Sequence, residues 1–141
     1  MNKDKIFPYL LVSLQMGSLL FIATTSSVVS NNVEGLLVEA AGIFLAVVPI
    51  YVVKIKNVNI TPIVKENSEL VTSGPYRIIR HPIYIAQIIA VMPLIIDYFS
   101  WYRFTAFFVL SITLLVKIQY EEKQLISSFP EYKAYQKKTY K

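Results

Sequence analysis

An all-α, polytopic integral membrane protein with four transmembrane helices is what this sequence predicts, and three observations predict it. Of the 141 residues, 55% are hydrophobic and 16% charged, where an average soluble domain carries about 25% charged residues. The apolar residues are gathered into blocks long enough to cross about 30 Å of hydrocarbon, rather than spread at the periodicity of a soluble core. The basic residues lie beside those blocks, with a net charge of +5 and a mean hydropathy of +0.49.

Length bounds the chain to one domain. With no Cys and a single His, a zinc site of the usual Cys/His kind, a disulfide framework and a Cys nucleophile are all excluded, and no metal is expected. In a soluble protein the positive charge would suggest nucleic acid. Beside apolar blocks it points instead to the anionic surface of membrane lipids, and no nucleic-acid partner is expected.

The first span is expected at about 6–29, because residues 6–33 contain no Asp, Glu, Lys or Arg. Lys3, Lys5 and the small residues Ala23 to Ser27 would also suit a signal peptide, but three further apolar blocks favour a span. The second, 35–53, is interrupted once, by Glu39. An ionisable residue at membrane depth is a functional candidate by default. The third and fourth, 82–98 and 101–120, have short apolar centres that their flanks lengthen. Tyr98, Phe99, Trp101 and Tyr102 form an aromatic cluster suited to an interface, and Lys117 is expected to extend its ammonium toward water. Asp97 to Arg103 reads as the tip of a helical hairpin, and Pro93 should kink the third span.

Basic residues near span ends are retained in the cytoplasm. Four spans with both termini inside put thirteen of the fourteen Lys and Arg residues on that side, leaving Arg103 outside. The cytoplasmic parts are then a loop, 54–81, and a tail, 121–141.

The loop ends in Gly74-Pro75-Tyr76-Arg77-Ile78-Ile79-Arg80-His81-Pro82-Ile83-Tyr84. Gly-Pro signals a turn, and Pro82 suits the first turn of a helix, where its missing N–H costs nothing. The third span should therefore open at His81-Pro82, aiming unpaired N–H groups at a place already flanked by Arg77, Arg80 and His81. That is a site for a carboxylate or phosphate. Glu121-Glu122 leaves the fourth span. If spans three and four are antiparallel, His81 and Glu121 lie at one depth, and the combined site can grip a zwitterion: Glu for an ammonium, Arg or helix N–H groups for a carboxylate. Downstream, Leu125, Phe129, Tyr132 and Tyr135 recur at spacings of three and four, as in an amphipathic tail helix, with Pro130 expected to start a separate turn.

Gly74-Pro75-Tyr76-Arg77-x-x-Arg80-His81-Pro82-x-Tyr84, then Glu121-Glu122-x-x-Leu125 and Phe129-x-x-Tyr132-x-x-Tyr135, resembles the isoprenylcysteine carboxyl methyltransferase and phospholipid methyltransferase superfamily over roughly residues 65–138. The resemblance implies a membrane enzyme that uses S-adenosylmethionine without a Rossmann domain. The loop and tail would enclose the cofactor, and a lipophilic methyl acceptor would enter from the bilayer. Tyr76, Arg77, His81, Pro82, Tyr84, Glu121, Glu122, Tyr132 and Tyr135 would line the cofactor site. Arg80 and Glu121 would act in catalysis, Arg80 orienting an acceptor carboxylate and Glu121 holding the cofactor ammonium. The family's usual Phe-Gly is here Phe129-Pro130, and its basic residue before the Glu pair, commonly Arg, is Lys117. Ala40-Ala41-Gly42 is the nearest counterpart of the glycine motif of phosphatidylethanolamine methyltransferases.

The acceptor expected first is an isoprenylcysteine-type carboxylate, with a phospholipid amine or a small thiol as alternatives. A small four-span proton-coupled transporter using Glu39 is the reading from a different class, and a non-catalytic membrane scaffold a third.

Overall fold

The structure is a computed structural model, and it describes residues 3–53, 63 and 69–140. Lys54, Lys56, Lys65 and Lys141, part of the expected cytoplasmic charge, lie outside the described residues. Among the described residues five α-helices follow in order: α1 (Lys3–Thr25), α2 (Val33–Val53), α3 (Pro82–Asp97), α4 (Trp101–Ser128) and α5 (Tyr132–Gln136), with a 3₁₀ turn at Gly74–Arg77. The fold is an all-α, polytopic membrane fold. By length and composition α1, α2 and α4 can each cross a bilayer. α3, at 16 residues, reaches about 24 Å.

Each boundary has a local cause. Asn32 caps α2 by accepting the Gly35 N–H at 2.7 Å, and Ser100 caps α4 by accepting that of Arg103 at 3.3 Å; both satisfy donors that a helix start leaves open. Pro82 opens α3 as its first residue. α4 runs past residue 120 to Ser128, so Glu121, Glu122 and Leu125 stand on the same continuous helix as the span. Phe129-Pro130 then interrupts the tail, because Pro130 has no N–H to continue the helix, and only the five residues of α5 follow.

α3 packs chiefly on α2, and α4 on α1. The α2–α3 crossing is very close: a Cβ on the buried Gly42 would sit 2.5 Å from the Ala90 backbone nitrogen. Ile22, Leu94 and Ile95 form a buried apolar cluster flanked by Val91, Tyr98, Ala106 and Phe107. Outward faces stay apolar and exposed, Leu37, Phe44, Tyr51, Trp101 and Tyr102 among them, as lipid-facing surfaces must be. The short turns after α1 and α3 share one end of the bundle, the turn end. The start of α3 and the last turns of α4 share the other, the loop end.

Candidate active site at the loop end

The loop end is shaped by one turn. Gly74 has a φ of +59°, a left-handed conformation that disfavours any side chain, and Ile78 and Ile79 N–H both return to the Pro75 carbonyl at 3.1 and 3.0 Å. This tight turn leaves Tyr76 half-buried and Arg77 exposed, so Arg77 stays outside the cluster that its neighbours form. His81 caps α3 without a side-chain bond to its own helix. Its ring, 5% exposed as a residue, turns toward α4.

There it meets both carboxylates of α4. His81 Nδ1 lies 3.7 Å from Glu121 Oε2, and Nε2 lies 3.4 Å from Glu122 Oε1. Glu122 Oε1 also accepts from Arg80 Nε at 2.9 Å. Tyr84 stacks on the His81 ring, centroids 5.8 Å apart, and donates its hydroxyl to Glu121 Oε2 at 3.1 Å. The two carboxylates are not equivalent: the Glu122 side chain is 11% exposed and satisfied by Arg80 and His81, while that of Glu121 is 31% exposed and has room for another donor. Pro82 is buried behind His81.

The tail lies across this cluster as a strap. Arg80 Nη1 donates to the carbonyls of Gln136 and Thr139 at 3.0 and 2.7 Å. Arg80 N–H donates to the Tyr140 carbonyl at 2.9 Å, and Tyr140 N–H to that of Ile78 at 2.8 Å. Tyr135 donates its hydroxyl to the Tyr76 carbonyl and packs on Tyr132 with centroids 5.7 Å apart. Tyr132 is 1% exposed, and its hydroxyl has no hydrogen-bond partner among the described residues. Burial raises the pKa of Tyr76, Tyr132 and Tyr135 above the usual phenol value; the nearby Glu121 adds to this at Tyr76, and Glu122 at Tyr132. All three are therefore neutral at ordinary pH.

Lys117 corrects the expectation of an ammonium extended toward water. It is 1% exposed, donates to Gln15 Oε1 at 2.5 Å, and stands 5.2 Å from the centroid of the Tyr84 ring. The cause is Gln15, which donates through Nε2 to Gln87 Oε1 at 2.7 Å and so supplies a polar floor inside the bundle. Nothing in the spacing of apolar residues marks a partner 102 positions away. Gln136 and Thr139 were equally invisible in the sequence, since they serve through backbone carbonyls that any residue type would offer.

Glu39 lies at the turn end, where it accepts from Ser30 N–H at 3.0 Å. Gly42, the candidate glycine-motif residue, is a crossing point of α2 with α3. Among the described residues no group of three His, Asp or Glu side chains could hold a metal ion.

Comparison with known proteins finds one relative and one family match. The cobalt-zinc-cadmium resistance protein CzcN of Cupriavidus metallidurans is 35% identical over 77 residues, covering 53% of this chain and 35% of that relative. The matched stretch is thus just over a third of the relative's length. No solved structure matches the chain. The family model described as phospholipid methyltransferase matches residues 30–132, which take in α2, α3, α4, the Gly74 turn and the Glu pair. This integral membrane protein belongs to the phospholipid methyltransferase family.

Proposed function

We propose that the loop end binds S-adenosylmethionine and transfers its methyl group to a lipophilic acceptor arriving from the bilayer, the accepting group being a carboxylate of isoprenylcysteine type. The observation that carries this reading is a buried ionisable cluster with capacity to spare: the open side of Glu121 and the unpartnered hydroxyl of Tyr132. A buried hydroxyl without a partner costs about 1–3 kcal/mol, a cost that a bound ligand offering an acceptor would remove. The donor set fits a ligand with an amino-acid portion.

When bound, S-adenosylmethionine supplies a methyl group made electrophilic by its sulfonium. Glu121 would accept from the ligand ammonium. The N–H groups at the start of α3 would face a carboxylate, with His81 and Tyr84 holding Glu121 in place. Arg80 spends Nε on Glu122 and Nη1 on the tail; its Nη2, without a hydrogen bond among the described residues, is the group assigned to orient the acceptor carboxylate. An acceptor that is already an anion needs no base, so positioning and exclusion of water supply most of the rate. The strap from Pro130 to Tyr140 supplies that exclusion. Sidedness follows from the charge pattern: termini and site on the cytoplasmic face.

Radiolabelled methyl donor, incubated with the detergent-solubilised protein and offered a prenylated cysteine, a phosphatidylethanolamine or an alkyl thiol, tests the reading. A carboxyl methyl ester releases its label as volatile methanol in base, whereas label on nitrogen or in a thioether stays put. Base-volatile label on the prenylated cysteine is the expected result. Label retained on phospholipid or thiol replaces the acceptor, and no binding of the donor with proton flux dependent on Glu39 replaces the enzyme by a transporter.

A further inference from the structure

The strap has two unlike faces. Tyr132, Tyr135, Gln136 and Thr139, at spacings of three and one, are buried or half-buried against the loop-end cluster, whereas Lys133, Lys137 and Lys138 are exposed. None of these three lysines makes an ion pair among the described residues, and a single exposed carboxylate, Glu131, accompanies them on the strap. The inner contacts close the strap over the site, and the outer charge serves nothing within the fold.

The end of the strap sets its depth. Tyr140 exchanges backbone hydrogen bonds with Ile78 and Arg80, and Arg80 stands two residues before Pro82, where α3 begins; two residues span at most about 7 Å. The strap is thus tied down at the point where a membrane helix starts. The headgroup layer adds about 5 to 7 Å to each side of the hydrocarbon, and its field reaches about 8 Å further at physiological ionic strength, a range that takes in the strap lysines. Ile78 and Tyr140, which flank that pairing, are 61% and 76% exposed. An aliphatic side chain and a phenol left open at the mouth of a span suit the boundary between headgroups and acyl chains.

We propose that the outer face of the strap docks on anionic lipid headgroups, and that this contact holds the strap shut over the donor site. Charge complementarity names the occupant: three lysines against one carboxylate, at the depth of a lipid surface. Shutting the strap brings the lysines down to that surface. Lifting it, to admit the donor or release the spent nucleoside, carries them away against the attraction. An anionic leaflet therefore favours the closed state, and a neutral one does not. The inference rests on the methyl-donor reading above for what the strap encloses, and adds the composition of the leaflet as a control on it.

The full chain in nanodiscs of phosphatidylcholine, alone or mixed with phosphatidylglycerol, tests it. Amide exchange across the strap, read by mass spectrometry without any donor, should be about ten-fold slower in the anionic discs, each lysine near such a surface being worth up to about five-fold. Added salt should erase the difference. The triple variant Lys133→Gln, Lys137→Gln, Lys138→Gln should exchange alike in both discs, while Arg at the same three positions, which keeps the charge, should retain the response; thermal unfolding checks that each variant folds. Affinity for S-adenosylhomocysteine should follow the same pattern. Equal exchange of the wild type in the two discs, or a lipid response that the triple Gln variant keeps, overturns the inference. So does equal protection in neutral discs by soluble polyglutamate, which assigns the face to an acidic protein. Lipid-dependent exchange with no binding of the nucleoside in either disc overturns the donor site and leaves the docking of the strap in place.

Discussion

The two ends of the bundle are both rich in polar groups, and they differ in what those groups are bonded to. At the turn end, Asp97 accepts from Ser30 Oγ, from Asn31 N–H at 2.8 Å and from Asn32 Nδ2 at 2.7 Å. Arg103 donates to the carbonyls of Tyr98 and Thr25. Asp97 and Arg103 answer there to neutral groups of the turns, and the result is a clasp that ties the α1–α2 turn to the α3–α4 turn. At the loop end two carboxylates, an imidazole, a guanidinium and the four phenols of Tyr76, Tyr84, Tyr132 and Tyr135 share one small volume, with one buried hydroxyl left over. A saturated network fixes geometry; an unsaturated one has something left to bind with.

The largest expected difference between the ends comes from Glu122→Ala. It strands the Arg80 guanidinium, whose side chain is 10% exposed, beside His81, and should cost about 3 kcal/mol of stability while abolishing donor binding. Chemical denaturation and ligand titration read the two effects separately. Next is Tyr132→Phe, where the effects should part: donor affinity falls about ten-fold, yet the ligand-free protein is no less stable, because a buried hydroxyl without a partner has been removed. A clear loss of ligand-free stability in Tyr132→Phe would break the contrast drawn here. Asp97→Ala should lower the thermal midpoint and leave the donor dissociation constant unchanged, since it loosens only the clasp.

The smallest effect is in alkali. Tyr76, Tyr132 and Tyr135 have raised phenol pKa values in the fold, so the folded state holds their protons more tightly than the unfolded chain does. Their contribution is complete below the ordinary phenol value of about 10 and is lost as pH climbs above it. Ultraviolet titration should show Tyr76, Tyr132 and Tyr135 keeping their protons until the fold fails.

Much of the frame was legible in the order of residues. Apolar blocks announce spans because lipid demands them, and a Pro after His81 announces a helix start; from an antiparallel hairpin it follows that His81 and Glu121 are neighbours. What hydropathy could not carry was direction within a helix. Lys117 looks like a span-end lysine until Gln15 is known to face it, and that depends on how α1 is rotated against α4. Arg80 looks like a ligand-binding cation, and a pattern of side chains says nothing about the carbonyls of Gln136 and Thr139 that take its hydrogens. The fate of the tail was half visible: Pro130 marks the break, but the return of Tyr140 to Ile78 and Arg80 is a backbone pairing with no signature in residue type.

The near-contact of Gly42 with Ala90 has a consequence for traffic through the molecule. With a virtual methyl at Gly42 only 2.7 Å from the Ala90 Cα, no seam wide enough for an acyl chain exists between α2 and α3 at that level, so a hydrophobic guest travelling sideways toward the loop end has to use another gap between helices. Narrowing those other gaps one at a time, with bulky residues, would map the doorway.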